Sequence, residues 1–395
     1  MKASLKSVAA AGLMALGLAL VSFVLSVPTH AQQPAPPASL NEAQVPIALL
    51  LDADTGQVLF SRNVTRRFVP ASMTKVMTLY TAFELIDSGQ LDLRQSLTVS
   101  PKVWREWRAK GSSMFLNADE RVPLSDLLTG IATVSANDAA IVVADEAAGS
   151  VPAWTAQMNA KARAIGMTQS HFGTPNGWPD EGRTFTTASD LVTLGRALVN
   201  DHPDKFARFV GITQFRYQNI TQSNRDPMIG RVEGADGIKT GYTNESGFGY
   251  LGTAKRGSQR LMLVVGGANS NSSRARAARD LIEWGFGEFE RRPLFSAGST
   301  IAEARVQDGA ERAVALIAER DIAVSVPKTL DPGLELNVVY DGPLRAPVAA
   351  GERVATLEIR IEGMETARVA LLAAKDVGKA GFFGRIYNAV SGWFA

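Results

Sequence analysis

With 395 residues, 46% of them hydrophobic, the chain is long enough to bury an ordinary core and to form more than one domain. Its 41 Lys and Arg residues nearly balance 39 Asp and Glu residues and are interspersed with them, so nucleic acid is not an expected partner. The chain contains no cysteine, which excludes disulfides, thiolate nucleophiles and Cys-ligated metals. Any nucleophile must therefore be an oxygen or an amine.

Residues 1–31 predict an export signal. Lys2 and Lys6 give a positive start, residues 9–26 are uncharged and apolar, and Ala31 ends a segment suited to signal peptidase. An uncleaved membrane anchor is the alternative, because the apolar run is close to the length that spans a bilayer. Either way, we expect the remaining chain outside the cytoplasm, after a polar, proline-rich linker at residues 32–39.

Residues 40–290 predict a layered α/β domain. Strands are expected at residues 47–51 and 58–60, and a helix with one buried face follows Pro70. Helical spacing dominates the middle of the domain, and strand patterns then return before a final helix. The predicted helical stretches are 124–148, 154–165 and 188–199, the strands 237–242, 247–254 and 260–266, and the last helix 275–286. This order indicates an antiparallel sheet with helices on both sides.

Residues 294–373 predict a small all-β sandwich. Five short alternating stretches are separated by Asp-Gly, Pro-Gly and Gly-Glu turns, at residues 312–317, 322–326, 334–339, 353–361 and 367–372. Residues 375–395 then predict an amphipathic helix, whose aromatic side chains share one arc if the helix begins after Gly381. It is too short to span a membrane and is suited to lie in a membrane surface. A helix docked on the protein's own β domain is the alternative.

Ser72 and Lys75 form an S-x-x-K motif in the first turn of the helix after Pro70. Residues three apart share a helix face, so the amine can reach the hydroxyl. A serine hydroxyl needs an adjacent base, and a desolvated lysine can lose its proton and serve as one. The motif alone is weak, because a helix-capping serine followed by an exposed lysine has the same spacing.

Two further motifs are candidates for the same site. Ser135 and Asn137 form an S-x-N, which residues 39–41 and 61–63 also match, so only its place among the central helices singles it out. Lys239-Thr240-Gly241 is rarer and lies on a predicted strand, where a cation and a hydroxyl can hold a carboxylate. Gly241, which has no side chain, would let a substrate backbone pair with the strand edge. An ordinary solvated edge strand is the alternative.

The three motifs in this order resemble those of the serine penicillin-binding protein and β-lactamase superfamily. Longer stretches resemble the D-alanyl-D-alanine carboxypeptidase family within it: PASMTKVMT at residues 70–78, DGIKTGYT at residues 236–243 and GTAKR at residues 252–256. The similarity extends over essentially the whole chain after the export signal, including the β domain and the tail.

The resemblance implies a periplasmic enzyme, attached peripherally to the inner membrane, that removes the terminal D-alanine from peptidoglycan stem peptides. Ser72 would form the acyl-enzyme, Lys75 would act as its base, and Ser135 would relay a proton to the leaving amine. The resemblance also implies that β-lactam antibiotics acylate Ser72. The implied substrate-binding residues are Asn137, Lys239, Thr240, Gly241, Tyr242 and one arginine, Arg274 or Arg276, with Arg276 preferred.

Several rival functions fit the sequence less well. A class A β-lactamase would need a glutamate for deacylation, and no E-x-x-x-N occurs in residues 166–189. A D,D-endopeptidase of the same superfamily would commonly lack the β domain, and an inactive wall-binding protein would not need the intact Ser72 and Lys75. A Ser-His-Asp hydrolase is disfavoured because no G-x-S-x-G occurs. No metal-binding pattern is visible, and we expect no cofactor.

Overall fold

A computed structural model describes residues 34–328 and 333–381. The predicted export signal and the predicted helix at residues 382–395 therefore lie outside the described residues. Within the described ranges, no helix is long and apolar enough to cross a membrane.

Among the described residues, the α-helices all lie before the second domain. They are α1 (Lys75–Asp87), α2 (Pro101–Trp107), α3 (Leu124–Thr133), α4 (Asn137–Ala148), α5 (Val151–Ala164), α6 (Ala188–Asp201), α7 (Pro203–Phe209) and α8 (Asn271–Glu288).

The strands come from both ends of the first domain and from the whole of the second. They are β1 (Ile47–Asp52), β2 (Val58–Arg62), β3 (Ser96–Thr98), β4 (Arg121–Pro123), β5 (Gln214–Tyr217), β6 (Ile220–Ser223), β7 (Ala235–Thr243), β8 (Gly247–Arg256), β9 (Gln259–Ala268), β10 (Phe289–Phe295), β11 (Thr300–Gln307), β12 (Ala313–Ala318), β13 (Ile322–Pro327), β14 (Leu334–Val339), β15 (Leu344–Arg345), β16 (Arg353–Ile361) and β17 (Ala367–Ala373).

A five-stranded antiparallel sheet of order β2-β1-β9-β8-β7 forms the framework of the first domain. Helices cover both faces, which explains why β1 is a continuous apolar run: Leu49 packs into the core beside α1 to α7, and Leu50 into the core beneath α8. The predicted antiparallel sheet with helices on both sides is confirmed. Its edge strand β7 carries the Lys239 motif and leaves one edge unpaired within the sheet.

The central helical region differs from the prediction at one point. Residues 124–148 are two helices rather than one stretch, because Ser135 has a φ of 64°, which no helix interior accommodates. The last helix starts at Asn271, earlier than predicted, with the Ser270 hydroxyl accepting a hydrogen bond from the backbone N–H of Ser273. Two small two-stranded sheets, made by β3 with β4 and by β5 with β6, were not predicted, since their strands are only three or four residues long.

The second domain is a β-sandwich. A six-stranded sheet of order β14-β16-β17-β12-β11-β15 shares its core with β13, which pairs with β10. All five strands predicted from alternation are present at close to their predicted bounds. Strand β10 follows α8 directly and runs across the predicted start of the domain at residue 294, and neither β10 nor β11 was predicted.

Buried polar contacts attach the second domain to the first. The side chain of Gln57 donates to the carbonyl of Ser325 over 2.7 Å and accepts from its N–H over 2.8 Å. The Ser325 hydroxyl donates to the buried carboxylate of Asp52 over 3.0 Å. Paired donors and acceptors make this junction specific, because removing one partner would leave a buried polar group with one hydrogen bond fewer.

The stretch before the tail is extended rather than helical. The block at residues 375–395 was predicted as a helix, but Val377 pairs with Val348, and Lys379 with Gly309, through isolated β-bridges. These backbone hydrogen bonds hold residues 375–381 along the sandwich, which corrects the predicted helix over this part.

Candidate active site

Ser72 lies in a 3-10 turn, Ala71–Thr74, that leads directly into α1. The tight turn puts the serine one turn before Lys75, as the motif predicted, and Lys75 Nζ lies 3.0 Å from Ser72 Oγ. The sequence spacing therefore does bring the hydroxyl and the amine into hydrogen-bond contact.

Lys75 is fully buried and has two further partners. Its Nζ donates to Asn137 Oδ1 over 2.7 Å and to the backbone carbonyl of Asn176 over 2.7 Å. Its Nζ makes no salt bridge with any other residue that the structure describes. Burial, and then the positive charge of Lys239, hold the pKa of the Lys75 ammonium well below its usual range. A neutral amine beside a hydroxyl can accept the hydroxyl proton.

Ser135 and Asn137 lie where α3 ends and α4 begins. The left-handed conformation of Ser135 breaks the helical path and turns its side chain into the same cavity that Ser72 lines. Asn137, the first residue of α4, also donates from Nδ2 to the carbonyl of Lys110 over 3.0 Å. Asn137 was predicted to hold the substrate, and the structure adds a contact with Lys75 that the spacing did not reveal.

Lys239 and Thr240 lie on the edge strand β7, next to the serine turn. Lys239 is 4% exposed and Thr240 lines the cavity. Burial, followed by the positive charges of Arg225 and Arg274, lowers the pKa of Lys239 to about 7, although the negative charge of Asp226 opposes this shift. The strand thus places a cation with a perturbed pKa at one end of the cavity.

Gly241 has a packing role that the sequence did not predict. A Cβ at this position would lie 2.5 Å from the carbonyl oxygen of Pro70 and 3.3 Å from Ala71. The missing side chain therefore lets the serine turn pack directly against β7. The predicted pairing of a substrate with the strand edge stays a prediction, and β7 is the outermost strand of its sheet.

A cavity of about 910 Å³ joins the three motifs. Six of the predicted residues line it: Ser72, Ser135, Asn137, Thr240, Gly241 and Tyr242. Lys75 and Lys239 are buried behind this lining, the first against Ser72 and the second beside Thr240.

The arginine of the site is Arg274, which corrects the preference for Arg276. Arg274 is 7% exposed and lines the cavity, whereas Arg276 is exposed and lies outside it. Both residues are in α8, and positions two apart point to roughly opposite sides of a helix. Because Ala277 and Ala278 pack into the core, the helix can turn only one of the two arginines towards β7.

Sequence reasoning missed several residues of this cavity. Asn176 acts through its backbone carbonyl, which no side-chain pattern can reveal. Arg225 and Asp226 lie in a polar connection before β7, and Arg225 donates to the hydroxyl of Ser112 over 2.6 Å. Only their run of polar residues without periodicity marked them in the sequence, and such runs are typical of any loop.

A hydroxyl beside a buried amine of lowered pKa, with cations at one end of a cavity, is the arrangement of a serine acyl-transfer enzyme that uses lysine as its base. The fold and this site together define that class.

Comparison with known proteins identifies the family within the class. The profile described as D-alanyl-D-alanine carboxypeptidase matches residues 30–270, and the profile described as the C-terminal domain of penicillin-binding protein 5 matches residues 289–379. The chain belongs to the D-alanyl-D-alanine carboxypeptidase family.

Individual relatives agree with this assignment. The chain is 34% identical over 358 residues to D-alanyl-D-alanine carboxypeptidase DacD of Salmonella typhimurium, covering 89% of this chain and 90% of that protein. It is 32% identical over 347 residues to DacC of Escherichia coli, covering 87% and 86%.

Solved structures show the same fold. Penicillin-binding protein 5 from Haemophilus influenzae has a TM-score of 0.74 and 29% identity, and the match covers 85% of this chain and 98% of that one. Penicillin-binding protein D2 from Listeria monocytogenes in its ampicillin-bound form has a TM-score of 0.57 and 26% identity, covering 64% and 100%.

Proposed function

We propose that this chain is a serine-type D-Ala-D-Ala carboxypeptidase that removes the terminal D-alanine from peptidoglycan stem peptides through an acyl-enzyme on Ser72. The contact of 3.0 Å between Lys75 Nζ and Ser72 Oγ carries the proposal, because it pairs a nucleophile with a base whose pKa burial holds well below its usual range. The family assignment supports the same reaction.

In the acylation step, Lys75 takes the hydroxyl proton while Ser72 Oγ bonds to the carbonyl carbon of the penultimate D-alanine. The bond to the terminal D-alanine then breaks, and Ser135 passes a proton to the departing amine. The hydroxyl of Ser135 makes no hydrogen bond to another described residue, which leaves it available for this transfer. Water then attacks the ester and restores Ser72.

The opposite end of the cavity receives the carboxylate of the terminal D-alanine. Lys239, Thr240 and Arg274 provide a cation, a hydroxyl and a guanidinium there. The backbone N–H groups of Ser72 and Tyr242 would hold the developing oxyanion, since both residues line the cavity. A β-lactam carries a carboxylate and a reactive carbonyl in one molecule, and we infer that it acylates Ser72 by the same route.

Release of D-alanine from a peptide ending in D-Ala-D-Ala, measured against pH, tests the proposal. We expect kcat/KM to fall as the pH rises through about 7, because Lys239 loses its charge over that range. Below this midpoint Lys239 is protonated and attracts the substrate carboxylate; above it the attraction is lost.

The matched control is the same peptide with its terminal carboxylate amidated. It should be cleaved more slowly and should not show the decrease that sets in at neutral pH. A chain that releases neither D-alanine from the first peptide nor D-alaninamide from the amidated one contradicts the proposed function. Identical pH profiles for the two peptides contradict only the role of Lys239.

We further propose that the chain is exported to the periplasm and attaches to the membrane surface through residues 382–395. The support is the sequence pattern: a positive, apolar start, and a tail whose aromatic residues share one helical arc. These two segments lie outside the described residues.

Truncation of the chain after Gly381 tests the attachment. The truncated protein should remain in the supernatant when membranes are sedimented, whereas the full chain should sediment with them, because the aromatic arc supplies the apolar contact with lipid. The control is a full-length chain with Ser391→Ala, a change on the opposite face of the predicted helix, which should still sediment. Equal partitioning of the truncated and full chains would reject the attachment.

A further inference from the structure

The backbone segment at residues 174–178 lies directly against α1, and its contacts with that helix are paired. The carbonyl of Asn176 accepts from Lys75 Nζ over 2.7 Å, and the preceding carbonyl, of Pro175, accepts from Thr78 Oγ1 over 2.6 Å. Lys75 and Thr78 are three residues apart and therefore share one face of α1. Two successive carbonyls are thus held by two side chains one helical turn apart.

The same segment is also held at its other end. Gly177 has a φ of 73°, and a Cβ there would lie 1.8 Å from the carbonyl oxygen of Ala71, so the segment packs on the turn that carries Ser72. The N–H of Gly177 donates to Thr174 Oγ1 over 3.1 Å. These contacts leave the Asn176 carbonyl little freedom as long as Thr78 holds Pro175.

The position of the Asn176 carbonyl matters because it occupies one of the few hydrogen-bonding groups of a neutral lysine amine. Such an amine has two N–H bonds and one lone pair. The two closest acceptors of Lys75 Nζ are Asn137 Oδ1 and the Asn176 carbonyl, both at 2.7 Å, while Ser72 Oγ lies at 3.0 Å. With both N–H bonds directed at these acceptors, the lone pair faces Ser72 and can take its proton.

We propose that Thr78 is a positioning residue of the reaction: by holding the Pro175 carbonyl it fixes the Asn176 carbonyl, which turns the lone pair of Lys75 towards Ser72. This inference rests on the proposed role of Lys75 as the base. Without the Asn176 acceptor in place, an N–H of Lys75 would turn to Ser72 Oγ, and the amine would donate a hydrogen bond to the serine instead of accepting its proton.

The chain offers a matched control on the same helix. Thr78 and Thr81 are both 0% exposed in α1, but the hydroxyl of Thr81 has no hydrogen-bond partner within the described residues. Thr78→Val and Thr81→Val therefore make the same chemical change at neighbouring buried sites. Only the first removes a hydrogen bond to the segment.

The experiment measures the rate constant for acylation of Ser72 by a fluorescent penicillin across pH, together with the melting temperature. For Thr78→Val we expect a maximum rate about tenfold or more below that of the parent, since small displacements of reacting groups have large effects. We also expect the acid limb of the rate profile of Thr78→Val, where the rate rises as Lys75 loses its proton, to lie at lower pH than in the parent. A hydrogen bond to the carbonyl favours the charged amine, so losing it lowers the pKa of Lys75 further.

Thr81→Val should have the same maximum acylation rate and the same acid limb as the parent. Thr78→Ser retains the hydroxyl, so its maximum rate and its acid limb should lie close to those of the parent. A purely structural role would lower the melting temperature of Thr78→Val and leave its acid limb and maximum rate unchanged, and that result would overturn the inference. Equal profiles for Thr78→Val and Thr81→Val would overturn it as well. If the parent itself is not acylated at any pH, the proposed function fails, and this inference fails with it.

Discussion

Replacing Ser72 with alanine should abolish both D-alanine release and the covalent penicillin adduct. Loss of the nucleophile leaves only the binding groups of the cavity, and in serine hydrolases such a change lowers kcat by about 10⁴-fold or more. The adduct is read by mass spectrometry of the intact protein and D-alanine by a coupled assay. The fold should be unaffected, because the serine hydroxyl has Lys75 as its only described partner.

The control for this variant is Ser88→Ala, at the far end of α1 and outside the cavity. It removes the same atom from an exposed position and should retain full activity. A penicillin adduct that persists in Ser72→Ala would show that another residue is the nucleophile.

Replacing Lys75 with methionine should lower the acylation rate by about 10³-fold, within the range for loss of a general base. Methionine fills nearly the same volume, and it removes a buried amine that forms no salt bridge within residues 34–328 and 333–381. Removal of the buried amine favours the folded state. The side-chain carbonyl of Asn137 and the backbone carbonyl of Asn176 lose their hydrogen-bond donor, which disfavours it. We therefore expect little change in melting temperature, so that the loss of rate reports on chemistry.

Lys161→Met is the matched control, since it removes a partly exposed amine that pairs with Glu84 at 3.2 Å, away from the cavity. Its acylation rate should equal that of the parent. Acylation of Lys75→Met at the parent rate, with the adduct still on Ser72, would rule out Lys75 as the base.

Much of the site follows from short-range rules. The spacing of Ser72 and Lys75 within one turn predicted their contact, and the Lys239 triplet was correctly assigned to a strand. The strands of the β domain were recognisable from alternation alone. In each case the signal is a periodicity or a spacing within a few residues, which backbone geometry converts directly into proximity.

Other features depend on contacts between distant parts of the chain. The choice of Arg274 over Arg276 follows from which face of α8 packs on the sheet, and the requirement for Gly241 follows from the approach of the Pro70 carbonyl. Neither relation is encoded near the residue concerned. Sequence resemblance narrowed the arginine to two candidates, and only packing separated them.

The amino-acid sequence alone predicted the class of enzyme, through its resemblance to a known family. It also predicted the candidate nucleophile and base and the order of the two domains, because these depend on residue identity and local spacing. The tertiary structure alone decided how the Lys75 amine is oriented. The acceptors of Lys75 are Asn137, which lies 62 residues along the chain, and the main chain of Asn176, at a separation of 101 residues. A backbone carbonyl is common to every residue, so only folding can select the one that serves the lysine.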